Sequence, residues 1–156
     1  MNKILFKNQL SDDVFLMRIE APNIAEERLP GQFIMLQLDS DFGERIPLTI
    51  ADADENEGSI TIIFQIVGKT TTDLARLNEG DNIENLGGPL GTPTHIDNFG
   101  TVVCVGGGIG VAPMHPIAKA MKAAGNHVVI IIGARTKELI ILEKEMTDIA
   151  DELIIC

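Results

Sequence analysis

The sequence predicts a β + α/β chain, with an antiparallel β-barrel followed by the first βαβαβ half of a parallel-sheet domain. Three observations carry this. Up to about Asn98 the chain falls into short β-branched or aromatic-rich runs separated by turn residues. From Gly100 the pattern becomes strand, helix, strand, helix, strand. The switch is followed at once by a glycine cluster, "VGGGIGVAP", at 105–113. The expected units are therefore 1–98 and 99–156.

In the first unit, "VFLMRIEA" alternates Phe15, Met17 and Ile19 against Arg18 and Glu20, and "GQFIMLQL" and "SITIIFQIVG" are bounded by glycine. Breakers at "LPGQ", "ADENEGS", "NEGDN" and "LGGPLGTP" fall at the spacing of an antiparallel barrel. One short helix interrupts it. "TTTDLARLNEG" offers threonine caps, Asp73 in the first turn and Gly80 as the stop.

In the second unit, "TVVCVGG" and "HVVIIIGA" are continuous apolar runs, as expected of parallel strands covered on both faces. Between them Met114, Ile117, Ala118, Met121 and Ala124 form one helical stripe that ends at Gly125 and Asn126. A second helix is expected over "KELIILEKEMTDIA", and the last strand is "DELIIC". Such a βαβαβ unit is the mononucleotide-binding half of a doubly wound fold.

Composition narrows the function. A formal net charge of -11 argues against a nucleic-acid backbone or an anionic membrane surface as partner. An anionic ligand would need a local site of backbone N–H groups and a few chosen cations. No apolar run reaches the roughly 18 to 20 residues of a membrane span, and the N-terminus lacks a signal peptide's pattern, so a cytoplasmic protein is expected. Cys104 and Cys156 are too few to ligate an iron-sulfur cluster or a cysteine-rich zinc site. His95, His115 and His127 lack ligand spacing, so no metal is assigned.

Gly106, Gly107, Gly108 and Gly110 lie between an apolar strand and a helix whose first turn is expected to hold Pro113 and Pro116. Proline suits that turn because its first amides have no intrahelical partner. An anion could approach those amides and the positive end of the helix dipole. The spacing is not the G-x-G-x-x-G of a dehydrogenase fingerprint, so on its own residues the turn fits either a phosphate site or a plain tight turn.

"LPGQFIMLQL", "ERIPLTIAD", "VGKTTTDLARLNEGDNIENLGGPLGTP" and "GGGIGVAP...GARTKELIILEKEM" stand in the order and spacing of the ferredoxin-NADP reductase superfamily. The whole chain resembles its small flavin-containing electron-transfer subunits. The resemblance implies an FAD-binding barrel and an NAD(P)H-binding α/β domain, with hydride passing between nicotinamide and flavin. By position it places Thr49 near flavin N5 as the catalytic contact and Arg45 on the FAD pyrophosphate, where a guanidinium fork binds two oxygens. The alternative for Arg45 is an ion pair with Asp41 or Glu44.

The chain departs from the family pattern in two places. The family arginine falls where Ile46 stands, one residue after Arg45, and its flavin-packing tyrosine is missing, leaving Pro47 and Leu48 to cover that face. Phe64, Gln65 and Ile66 match the strand along the isoalloxazine, and Gly68, Thr70 and Thr71 match a phosphate-binding turn. Gly107, Gly108, Gly110 and Pro113 match the NAD(P) pyrophosphate turn. Gly133 and Arg135 match a further dinucleotide contact, with a plain surface charge as the alternative for Arg135. "GGPLG", Gly87 to Gly91, matches the loop joining barrel to nucleotide domain.

Family members continue beyond the third parallel strand and add cysteines that ligate a [2Fe-2S] centre, so a C-terminally truncated chain is expected, with no cluster ligated by it. The implied partners are a larger catalytic or electron-transfer subunit and, through it, ferredoxin-type carriers. In the family's strand order "TVVCVGG" lies mid-sheet, so its free edge is expected to promote self-association. The competing function is a scaffold or docking subunit that keeps the fold without flavin.

Overall fold

Alternating side chains build the first sheet. In the computed structural model, which describes residues 2–156, β1 (Asn2–Gln9), β2 (Val14–Glu20), β3 (Phe33–Gln37), β4 (Ile46–Asp54), β5 (Ser59–Gln65), β6 (Asn82–Ile83) and β7 (Asn85–Leu90) form one antiparallel sheet. Their order is β6-β1-β2-β5-β4-β3-β7. Only Glu84 separates the two end strands in sequence, so the sheet curls round on itself into a half-barrel. Met17, Ile19, Ile34, Leu36, Ile60 and Ile62 are wholly buried inside it. Each such side chain contributes on the order of 1.5–3 kcal/mol of burial.

Two helices accompany this sheet. α1 (Pro22–Glu27) begins on proline and buries Ile24 and Ala25. It is too short to leave a periodic pattern, and the sequence reading misses it. α2 (Lys69–Arg76) ends earlier than expected, with Gly80 serving the turn into β6 at φ +91°. Asp73 lies in its second turn and pairs with Lys69 at 3.0 Å and Arg76 at 3.2 Å. The "GGPLG" segment is largely strand rather than loop, since Gly87 and Leu90 of β7 pair with Met35 and Phe33.

The second sheet is parallel, ordered β10-β9-β8 from β8 (Thr101–Gly107), β9 (His127–Gly133) and β10 (Glu152–Ile155). Between β8 and β9 run a 3-10 turn at Gly108–Gly110 and α3 (Val111–Ala123). Pro113 lies in the first turn of α3, but Pro116 lies inside the helix, one turn later than the sequence reading puts it. The expected helix over 137–150 is broken into a 3-10 turn, Lys137–Leu139, and α4 (Glu143–Ile149). Four consecutive apolar residues, Leu139 to Leu142, cannot all face one side of a helix. Leu142 takes the left-handed conformation at φ 58°, and both Ile141 and Leu142 are buried.

The parallel sheet is covered on one face, not two. Val128, Ile130 and Ile132 of β9 are fully buried, whereas Val103 and Val105 on the opposite face of β8 are 56% and 69% exposed. β8 is the outer strand of this sheet. α3 packs against β4 as well as against β8 and β9, so Val14, Ala51 and Ile63 of the curled sheet join the second core. Asn126 pins the connecting segment, donating to the Asp97 carbonyl at 2.8 Å and accepting from Phe99 N–H at 2.6 Å. No helix among the described residues is long and apolar enough to cross a membrane.

Candidate functional site

β4 and β5 run side by side where the curled sheet meets α3, and their ends form an apolar cavity of about 410 Å³. Pro47, Leu48 and Thr49 line it from β4, and Phe64 and Gln65 from β5. Thr71 of α2, and Gly110 and Pro113 at the start of α3, complete it with Ile46, Ile63, Val67 and Ile109. Eight residues singled out in the sequence therefore meet in one place. The Phe64 ring is not available to a ligand: it is 2% exposed and stacks on Phe15 with centroids 5.9 Å apart. Ile66 packs against the barrel core, and its N–H donates to the Asp13 carbonyl at 2.8 Å.

A second cavity, of about 650 Å³, opens beside the first. Gly107, Gly108 and Arg135 line it, with Gly133, Leu139 and Ile141 from the α/β half and Ser11, Asp13 and Val14 from the barrel. Gln65 and Ile109 line both cavities. Among the lining residues that the sequence does not single out for a site are Ser11, Asp13, Val67 and Ile109. Asp13 and Ser11 lie in the β1–β2 turn, which reads as an ordinary polar breaker. Nothing local signals that it reaches β5, where Asp13 accepts from the Gln65 side-chain amide at 2.7 Å.

The glycines divide by what surrounds them. A Cβ at Gly106 would lie 3.2 Å from both Met114 Sδ and Val111 Cα, so this glycine serves the close packing of β8 on α3. At Gly108 and Gly110 nothing stands within 4 Å of such an atom, and Gly108 also needs its φ of +54°. At Gly107 the nearest atom is Gly133 O at 3.9 Å. The leading backbone of α3 is thus open on the cavity side, a cradle that side chains would fill. This fits the pyrophosphate of a dinucleotide at a helix N-terminus.

The α2 turn is similarly open at Gly68, with nothing within 4 Å. Its threonines are partly committed: Thr71 Oγ1 accepts from Val67 N–H at 2.9 Å and Gly68 N–H at 3.1 Å. Thr70 Oγ1 donates to Glu44 at 3.3 Å. What remains for an anion is the helix end and the Gly68 space rather than the Thr71 hydroxyl. Arg45 is exposed and forms no ion pair among the described residues, so the Asp41 or Glu44 pairing is not made. Arg45 and Thr70 do not line the apolar cavity. Cys104 lies buried on β8, and burial pushes its thiol pKa up, which keeps it protonated and unreactive.

The model of the oxidoreductase NAD-binding domain matches residues 104–153, the segment from the end of β8 through the glycine turn, α3, β9 and α4 to the start of β10. The chain is 44% identical over 155 residues to the dihydroorotate dehydrogenase B (NAD(+)) electron transfer subunit homolog of Thermotoga maritima, covering 99% of this chain and 55% of that protein. It is 34% identical to the corresponding electron transfer subunit of Fusobacterium nucleatum, covering 88% of this chain and 54% of that one.

Among solved structures, that of an NADH-dependent reduced ferredoxin-NADP oxidoreductase, studied for flavin-based electron bifurcation, superposes with a TM-score of 0.95 at 43% identity. The match covers 99% of this chain and 56% of that one. The cytochrome b5 reductase domain of Ulva prolifera nitrate reductase shares the fold alone, with a TM-score of 0.74 at 20% identity. The chain spans about half the length of the curated relatives it matches. The chain thus has a ferredoxin-NADP reductase-like fold, residues 104–153 match an oxidoreductase NAD-binding domain, and over nearly all its length it is similar to these electron-transfer proteins.

Proposed function

We propose that the chain is an FAD-binding electron-transfer module that passes hydride between NAD(P)H and FAD. The single observation that carries this reading is the junction of the two cavities at Gln65 and Ile109. Ligands held on the β4–β5 strands and on the glycine turn would abut there, and hydride transfer needs such contact. In this reading residues 1–98 form the FAD unit and 99–156 contribute part of the NAD(P) unit.

When bound, FAD would supply a two-electron acceptor that can release electrons singly to a further centre. The protein's share is binding and orientation. Pro47 and Leu48 offer apolar contact to the ring and Thr49 a hydroxyl beside it. Gln65 presents an amide whose N–H is already held by Asp13. Gly68 and Arg45 would contact the phosphates, and Arg45→Ala is expected to weaken FAD retention roughly tenfold, the scale of one charge-assisted contact. An unchanged FAD affinity in that variant would place Arg45 outside the site.

Gly107, Gly108, Gly110 and Pro113 would hold the dinucleotide pyrophosphate at the open N-terminal backbone of α3, and Arg135 would supply a nearby cation. Backbone amides and a few cations suffice in a chain of net charge -11, because the site's potential is local. Electrons would pass to a larger partner subunit, as the name of the similar electron transfer subunit suggests, and from it to ferredoxin-type carriers, as the name of the similar oxidoreductase suggests.

The visible spectrum after incubation with FAD and removal of free flavin tests the reading. A retained flavin band is expected. A colourless protein would favour a scaffold or docking subunit with the same fold.

A further inference from the structure

α3 carries the glycine turn at its N-terminus and also grips β4, the strand that bears Thr49. β4 contains a bulge: Ile50 faces Ile62 and Asp52 faces Thr61, so Ala51 is an extra residue with no partner on β5. A bulge frees a backbone group from the ladder and re-aims it. Ala51 is 1% exposed and belongs to the second core, whereas Ile50 and Ala53 on either side belong to the first. Its carbonyl, turned out of the sheet, accepts a hydrogen bond from His115 Nδ1 of α3 at 2.8 Å. The acceptor is a carbonyl, so the imidazole must carry its proton on Nδ1.

One helical turn on, Lys119 Nζ donates to both carboxylate oxygens of Asp52, at 3.0 and 3.3 Å. Residues at i and i+4 of one helix therefore hold consecutive residues of one strand. The Lys119 pair is half exposed and is the weaker anchor. His115 is 7% exposed and buried polar groups keep their partners, so it is the stronger.

We infer that His115 is a positioning residue: through the bulged Ala51 carbonyl it fixes β4 against α3 and sets how the dinucleotide on the glycine turn meets the flavin beside Thr49. The clamp rests on the contacts above, and its effect on hydride transfer rests on the proposed function. Asparagine can place its amide N–H where Nδ1 stands, while glutamine reaches to the Nε2 position. His115→Asn therefore keeps the bond and His115→Gln loses it, with a polar side chain at the site in both.

The test uses the full chain in two arms. Nitroxide labels at Asn8→Cys on β1 and Lys144→Cys on α4, in a Cys156→Ser background, report the distance distribution between the two halves without any cofactor. His115→Gln should broaden it and His115→Asn should keep the wild-type width. In the FAD-loaded protein, reduction by NADH should fall about 100-fold in His115→Gln, the scale of a misplacement near 1 Å, and recover in His115→Asn, with FAD affinity unchanged in both. A wild-type width in His115→Gln, or equal broadening in both variants, would overturn the clamp. A wild-type chain that takes up no FAD would instead overturn the flavin reading and the catalytic half of this inference, leaving the label distances to decide the clamp.

Discussion

Asp13 accepts a hydrogen bond from the Gln65 side-chain amide at 2.7 Å, and its backbone carbonyl accepts from Ile66 N–H at 2.8 Å. A residue of the β1–β2 turn thereby fixes the end of β5, where the two cavities join. Asp13→Ala leaves the Gln65 amide without its charged acceptor, a loss of about 1.5–3 kcal/mol for a well-ordered bond. We expect lower thermal stability together with slower NADH-dependent reduction of bound FAD. An unchanged reduction rate in the folded variant would show that Gln65 needs no such support.

The glycines of the turn should separate packing from binding. Gly106→Ala pushes a methyl group against Met114, Val111 and Gly110 and should cost about 1–3 kcal/mol of stability, the usual range for overpacking. Gly110 has helical backbone, φ -64°, and open space around it. Gly110→Ala should change stability by no more than about 1 kcal/mol, yet weaken ADP-ribose binding measured by calorimetry. Full nucleotide affinity in Gly110→Ala would argue that the turn only reverses the chain.

Acid should loosen β10. Asp151 accepts from Lys122 Nζ at 2.6 Å and from Val128 N–H at 2.8 Å, and these bonds, the first foremost, hold its carboxyl below the ordinary value. A pKa lowered by folding means that the carboxylate's stabilisation is complete above the unfolded value, about 4. It is lost as pH falls through the folded value. Asp151→Asn should therefore unfold at lower temperature than wild type near neutrality, and the gap should close in acid. A gap that widens as pH falls would contradict the assignment.

The uncovered face and outer edge of β8 should drive association. Val103 and Val105 are exposed apolar side chains of this outer strand, and an open edge pairs readily with another. Sedimentation of this chain should shift toward dimer with concentration, and Val105→Lys should suppress the shift. A wild-type chain that stays monomeric throughout would remove this expectation.

Much of this was legible in the sequence because it is local. Alternation found β2, and β-branched or apolar runs found β3, β5, β8, β9 and β10, whereas β1, β4, β6 and β7 carry no such pattern; the motifs around Thr49 and Gly108 lie round one junction. The parts that escaped depend on contacts between distant segments. The Asp13 turn and the His115–Ala51 bond join residues 52 and 64 positions apart, and neither has a pattern of its own. The break at Leu142 escaped because a run of four apolar residues reads as helix until tertiary packing decides which of them go inside. The apolar run of β8 suggested cover on both faces, and only the observed sheet shows that Val103 and Val105 face outward.

Anaerobic addition of NADH to the FAD-loaded chain is the most direct test of the claim that the two cavities form one site. Adjacent ligands at Gln65 and Ile109 predict that the flavin's visible band bleaches. NADH that binds, as shown by calorimetry, while the flavin band stays intact would contradict the account.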